Sequence, residues 1–200
     1  FSGSTAWARG FFPNFTPEIH DGDRDLNTRS EGITLPIYAP SSEGYFVLLH
    51  ELGHALGLKH PHDDGGTGRP TFTELDIAEW DFNLFTVMSY NDTNFDLVNY
   101  SPATPMILDV LALQHLYGVN EDLHRGTTHW QLTETNQYQT LFDPSGENTL
   151  SLGESNQGWS VYLPEDTIGE RSTQVGWAHT GNNTVTPETF FWLAGNYPDV

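Results

Sequence analysis

The residues HELGHALGLKH, at positions 50 to 60, combine side chains that can bind a metal ion with one that can move a proton. On an α-helix, His50 and His54 lie one turn apart on the same face, so both imidazoles can reach one ion. Glu51 lies beside them, where its carboxylate can accept a proton from a water molecule bound to that ion. The spacing therefore predicts hydrolysis by a metal-activated water.

A third imidazole, that of His60, lies too far along the chain to share this helical face. Gly57 can adopt a left-handed turn that ends the helix and brings His60 back to the ion. Three neutral imidazoles with a fourth position left for water form the catalytic zinc arrangement, whereas structural zinc sites have four protein ligands, usually with thiolates. The chain has no cysteine. A chance match would have to agree at every fixed position of HExxHxxGxxH, and we therefore favour zinc over that alternative.

Two helices are predicted to position these residues. From about residue 41, apolar residues recur at helical spacing, with Ser42 as the N-cap and Gly57 as the stop. A second helix is indicated by Thr104 as cap, Pro105 at the first helical position and Gly118 beyond the end. The metal-binding histidines are thus expected at the end of the first helix and just after it.

A change in composition divides the chain into 1–118 and 119–200. The first part begins with short strands and turns over 6–40, punctuated by proline and glycine, and continues into the two helices. The second part is rich in Thr, Asn, Ser, Gly and Gln, with β-like pieces at 149–152, 159–163 and 189–193. We expect an α+β first domain and a β-rich second domain.

The charge of the chain excludes some partners. Asp and Glu number 27 against 7 Lys and Arg, a net charge of -20, which repels the phosphates of nucleic acids and anionic lipid headgroups. The longest apolar run, 45–49, is far shorter than the roughly 20 residues of a membrane-spanning helix. Neither nucleic acid binding nor membrane insertion is expected.

A second motif, TVMSY at 86–90, resembles the Met-turn of the metzincin metallopeptidases, a clan that includes the astacins and matrixins. The resemblance narrows to the serralysins because Pro61 follows the zinc motif and PMILDVLALQHLYGVN, at 105–120, is similar to the helix that closes their catalytic domain. It implies a metzincin-like fold for 1–118: a twisted sheet edge, an active-site helix, a Met-turn and a C-terminal helix. The N-terminal part of that domain is expected to be missing. The segment 119–200 resembles the start of a β-roll domain without its strict calcium repeats.

The resemblance implies a role for each site residue. Met88 is the methionine of the Met-turn, and Tyr90 is a zinc-proximal tyrosine that also stabilises the oxyanion. The implied enzyme is a secreted endopeptidase that hydrolyses peptide bonds of protein substrates through a zinc-bound water activated by Glu51. A proteinaceous protease inhibitor is a further partner consistent with the family.

The resemblance also suggests calcium binding after residue 120. HRGTT at 124–128 and DPSGEN at 143–148 are similar to segments that bind calcium where the two serralysin domains meet, although an ordinary Asx-rich turn remains the alternative. The implied ligands are the side chains of Asp143 and Asn148 and the carbonyls of His124, Gly126, Thr128 and Ser145. A competing function is a calcium-dependent adhesion or scaffold module with an idle zinc site.

Overall fold

The structure of the chain is a computed structural model with two compact units, 1–113 and 114–200, and the division between them falls inside the second helix. The residues that it describes are 8–10, 24–26, 39–40, 42–64, 68–91, 102–120, 122–168, 173–181 and 189–195. Within these ranges helices and sheets are mixed, compatible with the expected α+β class. No helix in the described part of the chain is long and apolar enough to cross a bilayer.

Helix α1, Glu43–Ala55, begins and ends as its sequence predicts. The Ser42 hydroxyl oxygen accepts the Tyr45 N–H at 3.2 Å, which satisfies one of the unpaired amides of the first turn. At the other end Gly57 has a φ of 95°, a conformation that a side chain strains. The amides of Gly57 and Leu58 donate to the carbonyls of His54 and Gly53, both at 2.9 Å, which is the Schellman pattern that reverses the chain.

Helix α2 spans Ile107–Tyr117 and differs at its start from the sequence prediction. It begins at Ile107, two residues after Pro105, the predicted first position. The Thr104 hydroxyl donates to the carbonyl of Pro105 at 2.9 Å. The Asp109 carboxylate in the first turn accepts the Met106 N–H at 2.8 Å, the reach-back contact of a capping box. The predicted stop is confirmed, because Gly118 has a φ of 87°.

The first unit also contains two short strands that pair antiparallel, β1 at Ala8–Gly10 and β2 at Arg24–Leu26. They agree with the short strands expected over 6–40, most of which lies outside the described residues. Between the two helices the described chain forms turns and one 3-10 turn at Ala78–Trp80. In its described residues, the segment that follows His60 is therefore formed mainly by turns.

In its described residues, the second unit contains six strands in two sheets. The bounds are β3 Thr128–Leu132, β4 Tyr138–Asp143, β5 Asn148–Leu152, β6 Trp159–Ile168, β7 Thr173–Thr180 and β8 Phe190–Gly195. Strands β3 and β5 pair parallel, and the other sheet has the order β4-β8-β7-β6. The predicted pieces correspond to β5, β6 and β8, and β3, β4 and β7 were not among them.

The core of this unit is an apolar cluster with members on both sheets. Leu132 and Leu150 come from the β3–β5 pair, and Leu141, Phe191 and Leu193 come from the larger sheet. Consecutive strands β3, β4 and β5 alternate between the two sheets, so β3 and β5 can pair parallel with β4 as the crossover. Three of the residues considered for calcium, Asp143, Ser145 and Asn148, lie in or next to the turn between β4 and β5.

Candidate metal centre

Three imidazoles converge at the end of α1, as the motif predicts. The Nε2 atom of His60 lies 3.1 Å from Nε2 of His50 and 3.0 Å from Nε2 of His54. Both helical histidines are buried, and the loop histidine is partly buried. The described residues therefore contain a group of three nitrogen ligands that can hold a metal ion.

The hydrogen-bond partners of the three Nδ1 atoms determine which nitrogen of each ring carries the proton. Nδ1 of His50 donates to the carbonyl of Val87 at 2.7 Å, and Nδ1 of His54 donates to the carbonyl of Leu58 at 2.9 Å. Nδ1 of His60 faces a carboxylate oxygen of Asp63 at 2.6 Å. Since all three partners are acceptors, the neutral rings carry their protons on Nδ1. Three Nε2 lone pairs then face one another, an arrangement that a cation stabilises and that is repulsive without one.

The pKa values of this cluster favour the neutral, ligating form of the rings. Burial, with a smaller contribution from the neighbouring histidines, lowers the pKa of His50 to about 4 against the opposing hydrogen bond to Val87. Burial also lowers the pKa of His60, although its hydrogen bond to Asp63 acts in the other direction. These rings are therefore available to a metal near neutral pH without having to lose a proton.

Tyr90 and Glu51 lie at the same cluster. The Tyr90 ring centroid is 4.4 Å from that of His60 and 5.5 Å from that of His50, and the residue is 68% exposed. Burial and the charges of Asp63 and Glu51 raise the pKa of Tyr90, so its hydroxyl keeps its proton at neutral pH. Glu51 is half-buried, follows His50 on α1 and is near enough to Tyr90 for its charge to act on the phenol.

His62 is exposed, as expected for a loop residue after Pro61, but it is not isolated. Its ring is stacked on that of His60 with centroids 5.2 Å apart, and it lies 5.1 Å from the ring of Tyr90. His60, His62 and Asp63 form a second group of metal-ligand types, which shares His60 with the first.

The Met-turn packs directly on the zinc-motif helix. Met88 is 2% exposed, and a Cβ atom added at Gly53 would lie 2.4 Å from its sulfur. Gly53, which lies between His50 and His54 on α1, therefore allows the close approach of the Met88 side chain. A glycine inside a helix costs about 1 kcal/mol relative to alanine. A glycine at such a position is therefore a signal in the sequence that another part of the chain packs closely there.

A buried carboxylate fastens the Met-turn to α2. Asp109 is 2% exposed and accepts hydrogen bonds from the Thr86 hydroxyl at 2.5 Å and the Val87 and Met106 amides at 2.8 Å. Burial raises its pKa to about 6 against the opposing effect of these three donors. The carbonyl of Val87 is the partner of His50, so the carboxylate is connected to the cluster through one residue.

The residues considered for calcium come together in the second unit. Asp143 is fully buried; its Oδ1 accepts the Ser145 N–H at 3.3 Å, and its Oδ2 has no hydrogen-bond partner. Gly146 has a φ of 84°, and a Cβ atom there would lie 2.0 Å from the Gly126 carbonyl oxygen and 3.5 Å from that of His124. The turn thus brings two carbonyls against a glycine that follows Asp143 by three residues.

The other two members of this set are neighbours across the small sheet. Thr128 is paired with Asn148 in the parallel register of β3 and β5. The Asn148 side-chain amide donates to the Ser145 carbonyl at 3.4 Å. The six residues proposed from the sequence therefore lie in or at the edges of two turns, one before β3 and one between β4 and β5.

Comparison with known proteins relates the chain to one group of metalloproteases. It is 42% identical to serralysin A of Dickeya chrysanthemi over 64% of the chain and 29% of that protein. It is 31% identical to serralysin of Proteus mirabilis over 78% of the chain and 29% of that protein. It is 27% identical to the metalloprotease AprA of Pseudomonas entomophila over 98% of the chain and 44% of that protein. No protein-family model matches.

The chain is a relative of the serralysins. It spans less than half the length of these curated serralysin relatives. Three structural partners in this serralysin relative were not anticipated as parts of the site from its sequence: Asp63 beside His60, Gly53 against Met88, and Asp109 behind Val87. The three hydrogen bonds of Asp109 indicate that this carboxylate stabilises the fold.

Proposed function

We propose that this chain carries the active site of a zinc-dependent endopeptidase that hydrolyses peptide bonds of protein substrates. The observation that carries the proposal is the convergence of three Nε2 atoms whose Nδ1 protons are all engaged on the outer side. The names of its relatives, serralysin and metalloprotease, support the same reaction class. We assign 1–118 to a metzincin-like catalytic domain and 119–200 to a β-rich domain like the start of a β-roll.

The nitrogen set fits zinc better than a harder ion. Imidazole nitrogens suit zinc, whereas calcium and magnesium prefer oxygen ligands. Nitrogens about 2.0 to 2.1 Å from zinc in a tetrahedral arrangement are about 3.3 Å apart, close to the 3.0 and 3.1 Å between the Nε2 atoms here. When bound, zinc would supply Lewis acidity that polarises the scissile carbonyl and lowers the pKa of a water ligand to about 7.

Two side chains of the protein would move or hold protons. Glu51, half-buried on α1 next to His50, is the general base that takes the proton from the attacking water and passes it to the leaving amine. Tyr90, which retains its proton at neutral pH, donates a hydrogen bond to the tetrahedral oxyanion. We propose the same phenol as a further zinc ligand in the absence of substrate, and the proximity of its ring to those of His50 and His60 supports this role.

Hydrolysis of casein by the purified chain tests this proposal. We expect activity that a chelator abolishes and that stoichiometric zinc restores. Glu51→Gln should retain zinc, measured by metal analysis, while kcat/KM falls by about 10² to 10⁴, the contribution of a general base. Glu43→Gln, an exposed glutamate on the same helix, is the matched control and should be unaffected. Wild-type activity in Glu51→Gln would rule out this mechanism.

Tyr90→Phe separates oxyanion stabilisation from substrate binding. Removing one oxyanion donor lowers kcat by about 10²-fold, with little change in KM. Tyr117→Phe, an exposed tyrosine on α2, is the control. An unchanged kcat in the first variant would contradict the assigned role of Tyr90.

We also propose a calcium site in the second unit, formed by the side chains of Asp143 and Asn148 and the carbonyls of His124, Gly126, Thr128 and Ser145. The unsatisfied Oδ2 of Asp143 supports it, because a buried carboxylate oxygen without a partner carries a desolvation cost that a cation offsets. The competing adhesion or scaffold function is less well supported, since a binding module has no use for Glu51 beside the histidines. Extracellular location and a protein inhibitor remain expectations from the family.

A further inference from the structure

The groups that accept the Nδ1 protons of the three imidazoles are of two chemical kinds, main-chain carbonyls and a side-chain carboxylate. His50 and His54 donate to main-chain carbonyls, those of Val87 and Leu58, which no side-chain substitution removes. His60 alone, among the three, is held by a side chain, the carboxylate of Asp63, at 2.6 Å. His60 is also the one ring of the three that lies on a loop instead of the helix. Its orientation is therefore the one that a single substitution can change.

From this contact we propose that Asp63 is the positioning residue of the metal centre, which fixes the ring of His60 and makes its Nε2 a stronger donor to zinc. The inference rests on the proposed zinc-dependent function. A carboxylate that accepts the Nδ1 proton selects the tautomer with the lone pair on Nε2 and raises the basicity of that nitrogen. The neutral carbonyls that hold His50 and His54 also select this tautomer, but they raise the basicity of Nε2 much less.

The backbone of this loop is held independently of the Asp63 side chain. The Lys59 ammonium donates to the carbonyls of His60 at 3.1 Å and Asp63 at 2.8 Å, and the Asp63 N–H donates to the His60 carbonyl at 3.2 Å. Removing the carboxylate alone therefore leaves the turn closed. An effect of substitution at position 63 on zinc binding can be separated from an effect on the fold.

The second carboxylate oxygen of Asp63 lies near another imidazole, that of His62, which could compete with His60 for this carboxylate. It lies 3.7 Å from Nε2 of His62, longer than a hydrogen bond, and both side chains are substantially exposed, at 47% and 43%. The alternative to the hydrogen bond with His60 is therefore that Asp63 and His62 together bind a second metal ion. The geometry favours His60, because its contact is 1.1 Å shorter, 2.6 against 3.7 Å.

Zinc affinity measured by competition with a chromophoric chelator tests this inference. Asp63→Asn, which keeps an acceptor but removes the charge, should weaken zinc binding by about 10- to 100-fold, and Asp63→Ala should weaken it further. Asp64→Asn, the same charge change at the exposed neighbouring position, is the matched control and should bind zinc like the wild type. The thermal unfolding midpoint of the metal-free protein should be the same in all four.

A cobalt-substituted protein provides a second measurement. The d–d absorption bands of bound cobalt report the strength and geometry of its ligands, so they should shift in Asp63→Asn and stay in place in Asp64→Asn. Wild-type zinc affinity together with an unshifted spectrum in Asp63→Asn would overturn the positioning role.

Metal stoichiometry distinguishes the failure of this inference from the failure of the proposed function. One zinc ion per wild-type chain, lost in His54→Ala, supports both. Two ions, one of them lost in both His62→Ala and Asp63→Asn, would overturn the inference and leave the endopeptidase proposal standing. No zinc in the wild-type protein would overturn both.

Discussion

The two candidate metal sites of this chain are built from different materials. The histidine cluster in the first unit takes every proposed zinc ligand from a side chain, and each ring has an outer acceptor. The turn region in the second unit presents mainly main-chain carbonyls and one fully buried carboxylate, that of Asp143. The first site is specified by side-chain identity and the second by backbone conformation, so the two should respond differently to substitution.

His54→Ala is the sharpest way to break the first site. Loss of one of three imidazoles should remove zinc altogether, and casein hydrolysis should fall below detection, a larger change than any below. His115→Ala, an exposed histidine on α2, is the control and should keep both metal and activity. Stoichiometric zinc in His54→Ala would show that the cluster is not the zinc site.

Asp109→Ala should cause the largest loss of stability, because it leaves the Thr86 hydroxyl and the Val87 and Met106 amides without their acceptor. At about 1 to 3 kcal/mol for each buried unsatisfied donor, the free energy of unfolding should fall by roughly 3 kcal/mol or more. Urea denaturation of the metal-free protein measures this, with the exposed Glu79→Ala as control. A loss below about 1 kcal/mol would show that these donors find other partners.

Asp109→Asn tests the same contact through pH. The pKa of Asp109 is about 6 in the folded protein against an ordinary value of 3.8, so the folded state favours the protonated acid. Its stabilising contribution is complete below the ordinary value and is lost as pH rises through 6. The Asn variant should therefore gain on the wild type between pH 4 and 7, by up to about 3 kcal/mol at 1.36 kcal/mol per pKa unit. A constant difference across that range in metal-free protein would contradict it.

Asp143→Asn tests the site in the second unit. If calcium binds there, adding it should stabilise the wild type by about 2.7 kcal/mol at a hundred times the dissociation constant, and the variant should lose most of that gain. Glu147→Gln, an exposed glutamate in the same turn, is the matched control. An equal calcium response in Asp143→Asn and wild type would indicate that the turn is only an Asx-rich turn.

Gly53→Ala should have the smallest effect, but its sign is informative. Helix propensity alone predicts a stabilisation of about 1 kcal/mol. The added Cβ would lie 2.4 Å from the buried Met88 sulfur, and overpacking of this kind costs about 1 to 3 kcal/mol. We expect a net loss in thermal unfolding, reversed in a Met88→Ala background. If Gly53→Ala alone raised the thermal unfolding midpoint, the Met88 side chain would have to move aside without loss of stability.

The accuracy of the sequence predictions followed the range of the interactions involved. The start of α1 at Ser42 and its end at Gly57 were predictable because caps and left-handed turns involve residues within a few positions of one another. Helix α2 begins at Ile107 and not at the predicted Pro105, and Asp109 in its first turn also binds Thr86 and Val87, which are more than twenty positions away. Strand β7 was not among the predicted pieces, and its place between β6 and β8 is visible only in the folded sheet.

The sequence by itself determined the chemical types and spacing of the three imidazoles and Glu51, because one helical turn and one glycine suffice to bring them together. The tertiary structure decided what holds them: Val87 behind His50, Asp63 beside His60, and the Met88 sulfur against Gly53. It also decided which carbonyls meet at Gly146. Every residue has a carbonyl and many have a carboxylate, so their identity says little about where they point. Only the path of the folded chain selects among them.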